Sequence, residues 1–247
     1  MRDAAVSALD FFGMAPATDN RLIGRGIYSV SEAARLARVP AARIRRWIRG
    51  YSFPTLAGRH RSEPIVVPDI EPIANTMALS FLDLQEVVFV DAFLKTGVSW
   101  KTMRAAHHAA EQKLGQHPFS TGRFATDGRR ILLDLTGDVA AADPAFQEIL
   151  TNQLAFRRLI LPYLVKLDFG KDGQAIRWWP SGKKRRIVVD PERSFGQPIV
   201  SREGVPTVVL ARAFQAERST PIVARWYGVS RQSVTDAVKF EAGLKAA

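Results

Sequence analysis

Residues 29–49, SVSEAARLARVPAARIRRWIR, constrain the fold more than any other stretch, because they spell two short helices joined at a tight corner. Ser29 and Glu32 have the spacing of a capping box, so a helix is predicted to start there. Ala33, Leu36 and Ala37 fall on one face of it. Val39-Pro40 interrupts the pattern, since proline lacks an N–H and suits the first turn of a new helix. In that second helix Ile44, Trp47 and Ile48 recur at i, i+3 and i+4 and are expected to face inward. Arg45, Arg46 and Arg49 point almost the opposite way, with Arg43 on the flank. Ala34, Arg38 and Ile44 hold the three positions that set the corner between paired helices. A helix buried on one side and carrying four guanidinium groups elsewhere suits a DNA major groove, where Arg reads guanine edges or grips phosphates. The plainer alternative is a helical hairpin with a solvated basic face.

The following residues favour the groove-reading helix. Gly58-Arg59-His60-Arg61 forms a predicted turn with basic residues at its tip, followed by the β-rich run Ile65-Val66-Val67. It reads as a wing, with Arg59, His60 and Arg61 expected to reach backbone or minor groove beside the second helix. Residues 21–61 contain ten Arg and one acid, Glu32. Such like-charge crowding works against a compact fold and points to an anionic partner.

The same imbalance appears across the chain. Its net charge of +11 is divided as +7 over residues 1–61, −3 over 62–176 and +7 over 177–247. Basic ends suit phosphates or an acidic protein, and an acidic middle suits protein contacts. With 247 residues there is room for one large domain or two smaller ones. The chain has no Cys, which excludes disulfides and thiolate metal sites and fits a reducing cytoplasm. The N-terminus lacks the apolar run of a signal peptide, and no stretch is apolar enough to span a membrane.

Ser80 and Asp83 predict another helix start, with Leu84, Val87, Val88 and Leu94 as its buried stripe. Gly97-Val98-Ser99 ends it and begins the next, lined by Trp100, Met103, Ala106, Ala110 and Leu114. The motifs Tyr28-Ser29-Val30-Ser31-Glu32-Ala33-Ala34, the basic second helix, and Leu82-Asp83-Leu84 through Lys95-Thr96-Gly97-Val98-Ser99 resemble the N-terminal DNA-binding domain of the MerR family, over residues 27–115. The family's Tyr-Tyr-Glu signature is here Arg46-Trp47-Ile48. The helix from Trp100 ends near Gly115, too short for the family's long dimerising helix, so an effector-responsive activator is not expected. A metal role for His107 and His108 would need partners at ligand spacing, and no acidic residue or third His is expected close by, so both are read as structural or surface residues.

Residues 1–26 form a predicted N-terminal arm, in which Phe11, Phe12 and Met14 are expected to pack. In the region 116–189, residues 123–135 are expected to form a hairpin with Asp127-Gly128 at its turn. Asp143-Pro144 opens a helix with Phe146, Ile149, Leu150 and Leu154 on its apolar face, ended or kinked by Pro162. Strands are expected at 174–179 and 185–189, with Trp178 and Trp179 on opposite faces. The intervening Lys183 to Arg186 is either a nucleic-acid contact or a solvated loop.

From residue 190 the pattern changes. A short strand over 197–200 leads through Gly204-Val205-Pro206-Thr207 into a helix bearing Val208, Val209, Ala213 and Phe214. Thr220-Pro221 caps a second helix and Ser230 a third. Ala224, Gly228 and Val234 repeat the corner spacing, with Gly at the turn, where positive φ is tolerated. This second helix-turn-helix is a candidate DNA or dimer site through Arg225, Arg231 and Gln232. Asp190-Pro191, Gly196-Gln197-Pro198-Ile199-Val200 and Gly204-Val205-Pro206-Thr207 resemble a small bacterial antitoxin domain, long catalogued as a domain of unknown function. That resemblance implies a homeodomain-like bundle over 190–247.

The whole chain resembles the larger VapB-type antitoxins, which join a MerR-like head to this tail. The implied fold class is mainly α with short β-hairpins, a MerR-like winged helix-turn-helix followed by a three-helix homeodomain-like domain. The resemblance implies a cytoplasmic homodimer that binds its own operator DNA and a cognate PIN-like ribonuclease toxin, without a cofactor. A stand-alone transcription regulator is the alternative. No nucleophile–base pair, clustered carboxylates or glycine-rich phosphate loop supports an enzyme.

Overall fold

A computed structural model describes residues 22–55 and 58–245. The expected packing of Phe11, Phe12 and Met14 lies outside the described residues. The described fold is mainly α with short antiparallel β elements. A two-residue strand β1 (Tyr28–Ser29) pairs with β4 (Ala78–Leu79). Between them lie α1 (Val30–Ala37), α2 (Ala41–Arg49) and the hairpin β2 (Tyr51–Thr55)–β3 (Gly58–Ser62). The capping box at the start of α1 is complete: Glu32 N–H donates to Ser29 Oγ and Ser29 N–H to Glu32 Oε2. At the α1–α2 corner Arg38 adopts the left-handed conformation, with φ 56°.

The core is built on α3 (Phe81–Lys95), which is buried on nearly every side. Its Phe89 and Phe93 meet Phe119, Phe146 and Tyr163 of neighbouring segments, and Phe124 joins the same cluster. A helix buried all round must satisfy its polar groups internally. Asp83 accepts from the Ser80 and Asp69 amides and from His117 Nε2. Glu86 takes His107 Nε2 at 3.0 Å and both the amide and hydroxyl of Ser120. His107 therefore does have an acidic partner, one helix away rather than nearby in sequence. His108 stays exposed, with Glu111 at 3.7 Å.

Helices α4 (Trp100–Leu114), α5 (Gly122–Ala141), α6 (Pro144–Thr151) and α7 (Gln153–Leu164) pack around α3. The expected hairpin at 123–135 is instead part of α5. Phe124, Gly128, Ile131 and Leu132 are buried at helical spacing, and Gly128 gives room to the Phe124 ring, which a Cβ there would crowd at 2.8 Å. Asp127-Gly128 reads as a turn only when that longer period is ignored.

The single helix expected from Pro144 is two. Asn152 breaks it and caps the second half, accepting from the Leu154 and Ala155 amides. The re-aimed α7 leaves Leu154 exposed and Pro162 inside its last turn.

A four-stranded antiparallel sheet follows, in the order β5 (Leu167–Phe169), β6 (Ala175–Trp178), β7 (Ile187–Val189) and β8 (Pro198–Val200). Its strands are shorter than expected, because Lys183–Arg185 coil into a 3-10 turn. Trp178 is buried, while half-buried Trp179 donates its indole N–H to Asp168. Finally α8 (Thr207–Glu217), α9 (Thr220–Tyr227) and α10 (Arg231–Lys245) form a three-helix unit. Ser219 occupies the α9 cap position, with Thr220-Pro221 already helical. Ser230 caps α10, and Gly228 turns the corner at φ 62°.

The C-terminal helices dock on the N-terminal pair. Tyr28 donates its hydroxyl to the Gly196 carbonyl at 2.7 Å, and Arg35 pairs with Glu241 at 3.1 Å. Burial pushes the Tyr28 phenol well above its ordinary pKa, so it remains a donor. A Cβ on Gly196 would collide with that hydroxyl.

Candidate nucleic-acid interface

The inward face of α2 is Ile44, Trp47 and Ile48, all buried. Trp47 stacks on Trp100 of α4, with ring centroids 6.0 Å apart and planes inclined by 14°. The Trp47 carbonyl accepts the Ile65 and Val66 amides, closing the C-terminal end of α2. Ile65 and Val66 are therefore a buried cap on α2, and the expected strand there is absent. Gly50, at φ 68°, makes the turn into β2, where a Cβ would strike the Ser62 carbonyl.

Ser62 in turn accepts from Trp100 Nε1 at 3.1 Å and Arg104 Nη1 at 3.2 Å. These bonds anchor the hairpin to α4. Sequence reading placed Trp100 on the lining face of its helix but missed its bond to Ser62, and missed Gly50 and Ser62 as supports. Only Gly50, placed just after a helical run, carried a local signal.

This frame presents the outer face of α2. Arg45, Arg46 and Arg49 are exposed. The Arg46 guanidinium lies 4.1 Å from the Tyr51 ring centroid, and Arg49 Nε lies 3.0 Å from Met77 Sδ. Neither contact neutralises charge. Among the described residues Arg45 has no ion partner.

Arg43 differs: its guanidinium pairs at 3.4 Å with buried Asp91, which also takes Lys95. It ties α2 to α3 and is the least free of the four. The α2 N-terminus has no acidic residue in its first turn, and Pro40 offers no side-chain cap. The positive end of the helix dipole is left open to an anion.

Arg59, His60 and Arg61 lie along β3 rather than at the hairpin tip, facing Pro54, Phe53 and Ser52 across the ladder. Strand alternation puts Arg59 and Arg61 on one face and His60 on the other. All three are exposed, and the 4.0 Å Arg61–Glu63 pair is too open to hold Arg61.

In the C-terminal helix-turn-helix, Arg225, Arg231 and Gln232 are also exposed. The α10 N-terminus is already occupied. Glu203 accepts from the Ser230 amide and the Ser233 hydroxyl, and Gln232 donates to Asp236 at 2.9 Å.

Asp69, Asp83 and His117 bring donor atoms within 4.8 Å of one another. Hydrogen bonds from Ser80 and from the Asp69 amide engage both carboxylates, and His117 Nε2 lies between them at 3.0 and 3.5 Å. Burial alone would lower the His117 pKa. The hydrogen bond to Asp83 and the nearby charges of Asp69, Asp83 and Glu86 outweigh it and raise the pKa. When protonated, the His117 imidazole is a cation set between the two carboxylates.

Residues 26–107 match a family described as "Putative DNA-binding HTH domain". Over 221 residues the chain is 26% identical to "Putative antitoxin VapB45" of Mycobacterium tuberculosis, covering 86% of this chain and 92% of that protein. The fold resembles the crystal structure of Rv2018 from Mycobacterium tuberculosis, with a TM-score of 0.67 at 22% identity, covering 85% of this chain and 96% of that one. The likeness takes in the middle region, which carried no recognisable motif, so the chain shares an architecture rather than only a DNA-binding module.

Proposed function

We propose that this protein is a type II antitoxin that binds its own operator DNA through the N-terminal winged helix-turn-helix. The observation that carries this reading is α2, whose apolar face is locked beneath it while Arg45, Arg46 and Arg49 face outward along its middle and C-terminal turns. In this reading Arg45, Arg46 and Arg49 enter the major groove, Arg59 and Arg61 reach backbone or minor groove, and His60 and Arg43 play lesser parts. The chain works as a cytoplasmic homodimer on an inverted repeat. It holds a PIN-like ribonuclease toxin inactive without a cofactor of its own.

The wide-coverage similarity to a protein named as an antitoxin supports that role. Residues 27–115 are the MerR-like operator-binding domain in this reading, and 190–247 the homeodomain-like unit. The Glu203 and Asp236 carboxylates favour packing or dimerisation over DNA contact for Arg225, Arg231 and Gln232.

The test is fluorescence anisotropy of the full chain on DNA from upstream of its own gene, across a salt series. Co-purification with the product of the neighbouring gene, and inhibition of its ribonuclease activity, tests the toxin arm. Sequence-specific binding without any toxin partner would leave a stand-alone regulator. Absence of specific DNA binding would overturn the N-terminal assignment.

A further inference from the structure

The 3-10 turn between β6 and β7 carries four consecutive cations, Lys183 to Arg186, all exposed. Its backbone is held in place: Gly182 N–H donates to the Trp179 carbonyl at 2.8 Å, and Ser201 N–H donates to the Arg186 carbonyl at 2.8 Å. Arg186 takes the left-handed conformation, φ 54°, to keep that last bond. Lys183 is neutralised by Asp168 at 2.7 Å. Among the described residues no carboxylate pairs with Lys184, Arg185 or Arg186. A flexible solvated loop would not need this fixed geometry, and three adjacent unpaired cations repel one another unless an anion joins them.

The position of the turn indicates which anion. Pro180 and Ser181, at its base, line a cleft with Arg38, Asp91, Lys95 and Lys166. The one acid there, Asp91, is already engaged by Arg43 and Lys95. Arg38 is the corner residue leading into the α2 N-terminus, the end of a recognition helix that lies nearest the DNA. Arg38 and Lys166 thus border one cleft, whose edge at Pro180-Ser181 leads into the Lys184–Arg186 turn. The turn offers no free aromatic platform for unstacked bases, because Trp178 is buried and the Trp179 indole is tied to Asp168.

We infer that the Arg38–Lys166 cleft and the Lys184–Arg186 turn grip the phosphodiester backbone of duplex DNA flanking the half-site, extending the footprint beyond the winged helix-turn-helix. This rests on the operator-binding reading above.

The experiment compares wild type with Lys184→Ala/Arg185→Ala/Arg186→Ala on two duplexes. One holds only the inverted repeat, and the other adds about ten flanking base pairs, one helical turn, on each side. Arg123→Ala/Arg157→Ala/Arg158→Ala, at exposed positions on α5 and α7, serves as a control of equal charge. Circular dichroism and melting confirm that each variant folds. On the long duplex the turn variant should lose about 2–3 from the slope of log K against log salt, about 0.9 per phosphate contact. It should weaken operator and unrelated sequence alike, while the short duplex binds both proteins equally. A wild-type slope for the turn variant, an equal loss in the control, or a loss seen only with single-stranded RNA overturns the inference. If wild type binds neither duplex, the operator-binding reading itself falls, and the inference with it.

Discussion

The molecule contains the same corner twice with opposite electrostatics. At the first, Ala34, Arg38 and Ile44 join α1 to α2; at the second, Ala224, Gly228 and Val234 join α9 to α10. Both turn residues have φ near 60°, and both apolar partners are fully buried. Packing therefore does not distinguish them.

Their N-termini do. That of α2 is uncapped by any side chain and has no acid in its first turn, whereas that of α10 holds Ser230, Ser233 and the Glu203 carboxylate. A phosphate approaching α10 meets like charge where one approaching α2 meets a dipole's positive end. Tryptophan is also used oppositely. Trp47 is stacked beneath α2, while Trp226 on α9 is 59% exposed beside Arg225 and Tyr227. An exposed Trp-Tyr-Arg group has the composition of a protein-contact hot spot. A helix-turn-helix is a packing solution, and its role depends on which charges the packing leaves outside.

The largest test of this contrast is paired substitution at the two second helices. Arg45→Ala/Arg46→Ala should weaken operator binding by about 1–3 kcal/mol per base-reading Arg, at least tenfold in all. Arg231→Ala/Gln232→Ala should change it by less than about threefold, since exposed side chains outside a contact contribute little. Equal losses would erase the distinction.

Next come the two tryptophans. Trp47→Ala should cost about 3–5 kcal/mol in urea unfolding, by emptying a stacked core position. Trp226→Ala should cost under about 0.5 kcal/mol.

The corner residues separate less. Gly228→Ala should cost about 1–2 kcal/mol for left-handed backbone alone, since nothing crowds a Cβ there. Arg38→Gly should gain less than about 1 kcal/mol in the same assay, because relief of that backbone is partly offset by added unfolded-state freedom.

The smallest expected effect is with pH. All four His lie before residue 118. His117 has a raised pKa in the fold. Its stabilisation is complete below the unfolded value of about 6.5 and is lost as pH rises through the higher folded value. Hydrogen exchange, corrected for intrinsic rate, should show α3 losing protection across that window while α10 does not. Parallel loss in both would mean that the two halves open as one.

The helix-turn-helix was readable because its determinants are local. Ser29 and Glu32 are three residues apart, Ile44, Trp47 and Ile48 within four, and each pair is fixed by helix geometry whatever the rest of the chain does. The β2–β3 hairpin was readable in kind but not in detail, because the position of Arg59 and Arg61 along β3 depends on register, set by the Gly50 turn and the Ser62 anchor. The middle was misread where a short turn signal, Asp127-Gly128, competed with a longer period whose members meet their partners only in three dimensions. Neither the Glu86–His107 bond nor the stacking of Trp47 on Trp100 has any local signature. The Lys183–Arg186 run is legible in the sequence, but the cleft that Arg38 and Lys166 share with Ser181 is not, since Arg38 and Ser181 lie over 140 positions apart.

The Tyr28 hydroxyl bond to Gly196 places a clasp two residues ahead of α1, and Arg35–Glu241 places another within it. Of the two, Arg35–Glu241 ties α10 directly to α1, and Tyr28–Gly196 ties the turn before β8 to β1. A ligand favouring one setting of α10 against α1 would change operator affinity by the same factor as the operator changes affinity for that ligand. These two contacts would carry such a coupling between the ends of the chain.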